Sequence, residues 1–248
     1  MDRLTALALR CPLFRAGEAL APYVVANVPK AEVRERLVLA VTSKIASLAE
    51  GRQVARSEID KDALVRREAD VFLGKTRFGV ALTIKHGLLI PSAGLDESNS
   101  ESGDFILYPV DPFATLAALW RELRAAWGVR ELGVILTDSH VSPLRRGVTG
   151  LALAHWGFGG RRDLVGSLDL FGRELKMTQM NLADGLAATA VLLMGEGAEQ
   201  CPLAVIQSAP WVEFSEQTDP AELRIPVDED LYGELYAERL KLLSKRAD

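Results

Sequence analysis

The run Leu37-Val38-Leu39-Ala40-Val41-Thr42 is apolar, rich in β-formers and stops at Ser43, which predicts a buried strand. Ser43-Lys44 then opens a segment that ends at Gly51. Asp60 to Leu73 mixes charged and apolar residues at roughly helical spacing, with Gly74 as its stop. Val80 to Ile84 and Leu88 to Ile90 are β-like runs around His86-Gly87, the pattern of a hairpin. Pro112 to Trp127 predicts a helix, with proline at its start and Gly128 after its end. Leu132 to Thr137 predicts a second buried strand, ending at Asp138. Gln179 to Met194 is an Ala-rich helical stretch halted by Gly195 and Gly197, and Cys201 to Ile206 is the last strand. Ser208 to Glu229, rich in Pro, Glu and Asp, reads as a loop or extended arm. Asp230 to Lys245 returns to helical spacing, with Leu231, Leu235, Leu240 and Leu243 for one face. Interleaved strands and helices place the chain in the α/β or α+β class with a mixed sheet.

Composition narrows the setting. The 248 residues are 48% hydrophobic and 25% charged, enough for one large domain or two small ones. A formal net charge of −5 argues against a general nucleic-acid binder, which needs clustered Lys and Arg. Cys11 and Cys201 are too few for a disulfide scaffold and fit a reducing compartment. Asp2, Arg3 and Arg10 interrupt the apolar residues near the start, so no signal-peptide core forms. No run reaches the ~18 apolar residues of a membrane span. The expectation is a soluble, cytoplasmic protein without a membrane partner.

Three segments could carry chemistry. Ala93-Gly94-Leu95-Asp96-Glu97-Ser98-Asn99 follows a predicted strand and offers carboxylates, a hydroxyl and an amide, donors suited to Mg²⁺ or Mn²⁺. The competing reading is a polar turn in which Asp96 and Asn99 bond their own backbone. Thr137-Asp138-Ser139-His140 ends another predicted strand and could hold a metal and a phosphate oxygen, or equally form a helix cap or Asx-turn. Met194-Gly195-Glu196-Gly197-Ala198-Glu199-Gln200 could approach phosphates through its glycines, with Glu196 as a further ligand. A plain helix C-cap writes the same residues.

Lys44 after its strand could neutralise a phosphate, and Arg145 and Arg173 could grip phosphate or carboxylate oxygens. Of the three histidines, His86 reads as a turn residue, and His140 is the best placed for chemistry. No P-loop, dinucleotide fingerprint or G-x-S-x-G elbow is present, and His86, His140 and His155 lack zinc-ligand spacing.

Taken in order, these segments resemble the coenzyme F420-0:γ-glutamyl ligase family. Thr42-Ser43-Lys44 through Glu50-Gly51-Arg52 is similar to the T-S-K-x-x-S-x-A-E-G-R signature. His86-Gly87 and Ala93 to Asn99 follow H-G…A-G-x-D-E-S-N. Asp138-Ser139 falls at D-[TS], and Pro143-Leu144-Arg145-Arg146-Gly147 resembles P-W-R-x-G. Asp169 to Leu175 matches D-L-[YF]-G-R-x-L, while Ala183-Asp184 and Met194 to Gly197 match A-D…M-G-x-G. The resemblance spans residues 1–208 as a catalytic region of up to two interleaved subdomains, leaving 209–248 as a C-terminal arm and helix.

That resemblance implies the family's mixed α/β fold in an intertwined homodimer. It implies a GTP-dependent ligase with two divalent cations, Mg²⁺ or Mn²⁺, at the nucleotide phosphates. GTP phosphorylates a substrate carboxylate and the amine of L-glutamate displaces the phosphate. Asp96 and Asp138 would bind one metal, Ser139 and Glu196 the other. Pro12, Leu13, Phe14, Ser43, Lys44, Asn99, Met194, Gly195 and Gly197 would contact the nucleotide, with Arg145 and His140 as catalytic candidates. Three departures stand out. Leu48 replaces a frequent basic residue, and Glu196 a frequent Gln. The stretch Asp138-Ser139-His140-Val141-Ser142-Pro143-Leu144-Arg145 lacks the family's Phe, first Arg and Trp. A small-molecule acid acceptor other than F420-0, such as a folate, is therefore the alternative substrate. A nucleotide-binding regulatory protein is the alternative outside catalysis.

Overall fold

The computed structural model describes residues 3–98, 100 and 103–244. In chain order the elements are β1 (Thr5–Leu9), α1 (Leu20–Asn27), β2 (Leu37–Thr42), α2 (Ser43–Ala49), β3 (Gln53–Val54), α3 (Lys61–Glu68), β4 (Val71–Lys75), β5 (Ala81–Lys85) and β6 (Leu88–Pro91). There follow β7 (Phe105–Ile106), α4 (Pro112–Trp127), β8 (Leu132–His140), β9 (Thr149–Trp156), β10 (Arg161–Asp163), β11 (Gln179–Asn181), α5 (Leu182–Met194), β12 (Leu203–Gln207) and α6 (Gly233–Ser244). The chain forms two compact units, one of residues 1–52 and 108–222, the other of 53–107 and 223–248.

The first unit is built on a five-stranded mixed sheet in the order β1-β12-β2-β8-β9, in which only β2 and β8 run parallel. Leu37 to Val41 are all fully buried, so both faces of the sheet are covered at β2. The apolar run that predicts this strand thus lies at the centre of the core. α4 and α5 pack on the sheet. α4 starts where the sequence places it, with Asp111 accepting from the Phe113 and Ala114 amides, and ends at Gly128 in the left-handed region, φ 69°.

β8 and α5 have other bounds than the sequence reading gives them. β8 runs on through Asp138, Ser139 and His140 instead of stopping at Asp138. These three residues lie beyond the last pairing with β2, Thr42 with Thr137, but β9 still pairs with them. Their segment is neither a helix cap nor an Asx-turn. Residues 179–181 form β11 rather than the first turn of α5, because they pair with β10 and Asn181 caps the helix through the Asp184 amide.

A bulge in β9 sits beside this extension, where the pairing shifts between Leu136 and Thr137. The freed amide of Ala152 donates to Asp184 Oδ1 at 2.9 Å, so the first turn of α5 satisfies the irregular strand.

In the second unit, β4-β5-β6 form an antiparallel sheet and β3 pairs with β7. The expected hairpin is present: His86 (φ 52°) and Gly87 (φ 77°) join β5 to β6, and positive φ at both residues matches the twist of the strands. The helix expected to run to Leu73 ends at Glu68 instead. Val71 to Lys75 pair with β5, so the β-rich Val71-Phe72-Leu73 is strand rather than helix. Ser92, Ala93 and Gly94 all have positive φ, at 51°, 54° and 71°. The buried Thr83 hydroxyl holds this turn, donating to Ile90 O at 2.7 Å and accepting from the Ala93 amide at 2.8 Å. Thr83→Val keeps the shape but strands that amide, and should cost about 1–3 kcal/mol. Urea unfolding measures it; an unchanged midpoint contradicts the assignment.

Near the end of the first unit, Glu222 anchors the arm that follows β12. Its carboxylate accepts from the Gly160 amide (2.8 Å) and the Arg161 amide (3.2 Å) and lies 3.1 Å from His155 Nε2. His155 is 1% exposed, between the Phe113 and Phe158 rings, and its Nδ1 is buried without a hydrogen-bond partner among the described residues. Burial holds the imidazole below its ordinary pKa, against the opposing pull of Glu222 and Asp184. The native state therefore resists a proton that the unfolded chain accepts. This contribution to stability is full above the unfolded value of about 6.5 and is lost as pH falls through the native value. Tm measured between about pH 7.5 and 5.5 should fall less steeply in His155→Gln than in the parent chain. Equal slopes would contradict this.

Candidate active site

One row of the main sheet runs Leu9, Leu203, Val41, Leu136, Ala154. Past it, at a single edge, the chain leaves β1 toward Pro12-Leu13-Phe14, leaves β2 into Ser43-Lys44, and carries β8 on to Asp138-Ser139-His140. The loop from Met194 enters β12 at the same edge. Backbone bonds tie these segments together: the Cys11 amide donates to Gln200 O at 3.1 Å and the Thr42 amide to Pro202 O at 3.0 Å. Four segments far apart in sequence thus meet at the end of the sheet, a usual place for ligand sites.

Each segment is held locally. Tyr23 donates to Pro12 O at 2.6 Å and meets the Phe14 ring edge-on at 4.9 Å, while Leu13 is 74% exposed. Ser43 is buried as the first residue of α2, with Lys44 half-buried beside it. Burial pushes the Cys11 thiol above its ordinary range, which disfavours the reactive thiolate.

Met194 is buried at the end of α5, and Gly195 follows with φ 81° and ψ 170°, a conformation that favours glycine. A Cβ there would also lie 2.6 Å from Glu199 Cγ. The Glu199 carboxylate folds over the loop and accepts from the Gly197 amide at 2.8 Å. Glu196 and Gly197 are exposed. The turn is thus a helix end whose glycines make room for a carboxylate lying on the backbone.

Asp138 is half-buried and Tyr108, 5% exposed, hydrogen bonds to its Oδ2. Strand alternation puts Asp138 and His140 on one face of β8 and Ser139 on the other. Among the described residues His140 has long polar contacts, to Thr149 O (3.3 Å), Thr149 Oγ1 (3.4 Å) and Ser142 Oγ (3.5 Å). Arg145 is exposed in the β8–β9 loop, one residue after Leu144, whose φ is 59°.

In the second unit, Asp96 bridges Ile106 through two backbone bonds of 2.9 Å. Its Oδ1 accepts from the Ser98 amide (2.7 Å) and hydroxyl (2.8 Å), the polar turn that competes with the ligand reading. Glu97 is held below its ordinary pKa by Lys61 first and then Arg56. Asn99 lies outside the described residues. Among the described residues no group of three or more His, Cys, Asp or Glu stands ready to hold a metal ion, and no helix is long and apolar enough to cross a membrane.

The profile of a family described as F420-0:Gamma-glutamyl ligase matches residues 8–208. The chain belongs to that family. Among similar proteins, a Coenzyme F420:L-glutamate ligase of Methanopyrus kandleri is 34% identical over 210 residues, 78% of this chain and 82% of the relative. One from Archaeoglobus fulgidus is 34% identical over 213 residues, 79% and 84% of the two chains. Another, from Methanococcus maripaludis, is 39% identical over 148 residues, 60% and 58% of the two chains. The F420-0:gamma-glutamyl ligase family is one of enzymes, and this chain is a ligase.

Sequence reading overlooks several residues that shape this candidate site. Tyr108 sits in the apolar run Phe105 to Val110 and meets Asp138 only through the fold. Glu50 and Arg52 do lie in a recognised motif, but as anchors: Glu50 accepts from the Val110 amide at 3.1 Å, and Arg52 Nε donates to Tyr108 O at 2.9 Å. Glu199 had one available signal, its place two residues after a glycine pair.

Proposed function

We propose that this ligase joins L-glutamate to the carboxylate of coenzyme F420-0 or a close analogue, with GTP as activating nucleotide and Mg²⁺ or Mn²⁺ at its phosphates. The observation that carries the reading is the meeting of Pro12–Phe14, Ser43-Lys44, Asp138–His140 and the Met194–Gly197 loop at one sheet edge. The named substrates of the relatives supply the acceptor and the amino acid.

Asp138, Ser139 and Glu196 offer only oxygen donors, which fit a hard divalent cation. The resemblance alone assigns Asp96 to a metal and Asn99 to the nucleotide. When bound, the cations neutralise charge on the phosphates. The protein's own residues do the positioning. Lys44 and the backbone from Met194 to Gly197 hold the nucleotide, while Arg145 holds the acceptor carboxylate. A carboxylate oxygen of the acceptor attacks the γ-phosphorus and GDP leaves. The glutamate amine then attacks the acyl carbon, phosphate departs, and His140 takes the amine proton. No side-chain nucleophile is used, in keeping with the buried Cys11.

The composition of Val141 to Arg145 favours a second acceptor, a folate-like acid, since no aromatic platform for a deazaflavin stands there. The homodimer reading has its own support in the arm between β10 and β11. Asp169 accepts from the Phe171 amide (2.8 Å) and from the Arg173 amide (2.9 Å) and Nε (3.0 Å), which fixes a tip where Leu170 is 98% and Phe171 81% exposed.

Labelling tests the chemistry. With GTP, Mn²⁺, L-glutamate and an acceptor carrying heavy oxygen in its carboxylate, one label should appear in the released inorganic phosphate. Product without labelled phosphate would overturn the acyl-phosphate route.

A further inference from the structure

The Tyr108 hydroxyl and Asp138 Oδ2 are joined by a hydrogen bond whose partners are 30 residues apart in sequence. Tyr108 is almost wholly buried, and its backbone is clamped from the end of α2. Arg52 Nε holds its carbonyl at 2.9 Å, and Glu50 Oε2 holds the Val110 amide two residues on at 3.1 Å. Glu50 Oε1 also accepts from the Thr115 hydroxyl in the first turns of α4. The phenol therefore has little freedom to move. By contrast, Asp138 lies where β8 has outrun β2 and keeps a strand partner on one side only.

A carboxylate turns about a broad terminal torsion. A fixed donor on one oxygen removes that freedom and sets the plane in which the other oxygen is presented. We propose that Tyr108 is a positioning residue for Asp138, ordering its carboxylate for a divalent cation before the ion arrives. The inference rests on the reading of Asp138 as a metal ligand. It adds an outer group, in the segment between β7 and α4 and outside the recognised motifs, that sets ligand geometry.

The test is Mn²⁺ binding to the full chain without nucleotide or acceptor, followed by the electron paramagnetic resonance signal of the free ion. The variants are Asp138→Ala, Tyr108→Phe and Tyr108→Leu, each checked for an intact fold by near-UV circular dichroism. Asp138→Ala should lose the site. Tyr108→Phe keeps the ring and its packing but not the hydroxyl, and should weaken Mn²⁺ binding about 10-fold, as removal of an outer-shell partner does. Tyr108→Leu should weaken it at least as much. In turnover, Tyr108→Phe should raise the Mn²⁺ concentration needed for half-maximal rate more than it lowers kcat at saturating Mn²⁺. Parent-like affinity in Tyr108→Phe, with loss only in Tyr108→Leu, would show that Tyr108 merely packs. Parent-like affinity in Asp138→Ala would remove the metal reading and this proposal with it, a failure distinct from the first.

Discussion

Asp138→Ala should lower kcat/KM for glutamate ligation by on the order of 100-fold or more, about 2.7 kcal/mol of transition-state stabilisation. Asp138 is the carboxylate of the sheet edge that the fold orients from two directions, by β9 pairing along the backbone and by Tyr108 at the side chain. The transferring phosphoryl group offers the protein little to do except position it and balance its charge. On the proposed reading Asp138 holds a cation at that point, so its loss should be felt in the rate. The fold should survive, because strand pairing between β8 and β9 uses only the Asp138 backbone. Steady-state kinetics beside a melting curve separates the two effects. An active variant, or one that is inactive because it is unfolded, would contradict the assignment.

Gly150→Ala should destabilise the chain strongly, and Gly185→Ala should stabilise it. Gly150 pairs with Ser139 across the β8–β9 ladder. A Cβ on it would lie 2.7 Å from the carbonyl carbon of Ala187 and 2.8 Å from Ala188 Cα, both backbone atoms of α5. Ala183, Ala187 and Ala190 are fully buried, so the close approach of α5 to the sheet depends on small residues on both sides. A methyl group at residue 150 must lift the helix. The cost should reach the upper end of overpacking, about 3 kcal/mol, or a Tm lower by roughly 6–12 °C. Since α5 ends in the Met194–Gly197 loop, nucleotide affinity should fall as well.

Gly185 is exposed on the same helix with nothing within 4 Å of an added Cβ. Alanine there should add about 0.5–1 kcal/mol by restricting the unfolded chain. Equal Tm shifts in the two variants would refute this account of the packing.

Long apolar runs with clear stops are legible in this sequence: β2, the β5–β6 hairpin and α4 lie where pattern and punctuation place them. β9 escapes because Gly150, Ala152 and Ala154 carry little hydrophobic signal, and a small residue is what the close approach of α5 requires at Gly150. The extension of β8 escapes for the opposite reason. Asp138, Ser139 and His140 look like the end of a strand because β2 has stopped, yet β9 continues beside them. At 70–75 the change from helix to strand leaves no break in the apolar pattern, and only pairing with β5 decides it.

The site divides in the same way. Its segments are recognisable as motifs, and the sheet explains why several of them are neighbours. What no local pattern carries is support from afar. Tyr108 beneath Asp138, Thr83 beneath the Ser92–Gly94 turn and Glu222 on the loop after Phe158 each act across the fold.

The most direct measurement is the mass of the acceptor after incubation with GTP, Mn²⁺ and L-glutamate, with F420-0 and a reduced folate in parallel. The account predicts that F420-0 gains one glutamyl unit for each GTP converted to GDP and phosphate. GTP consumption without a glutamyl product, or product on the folate alone, would contradict it.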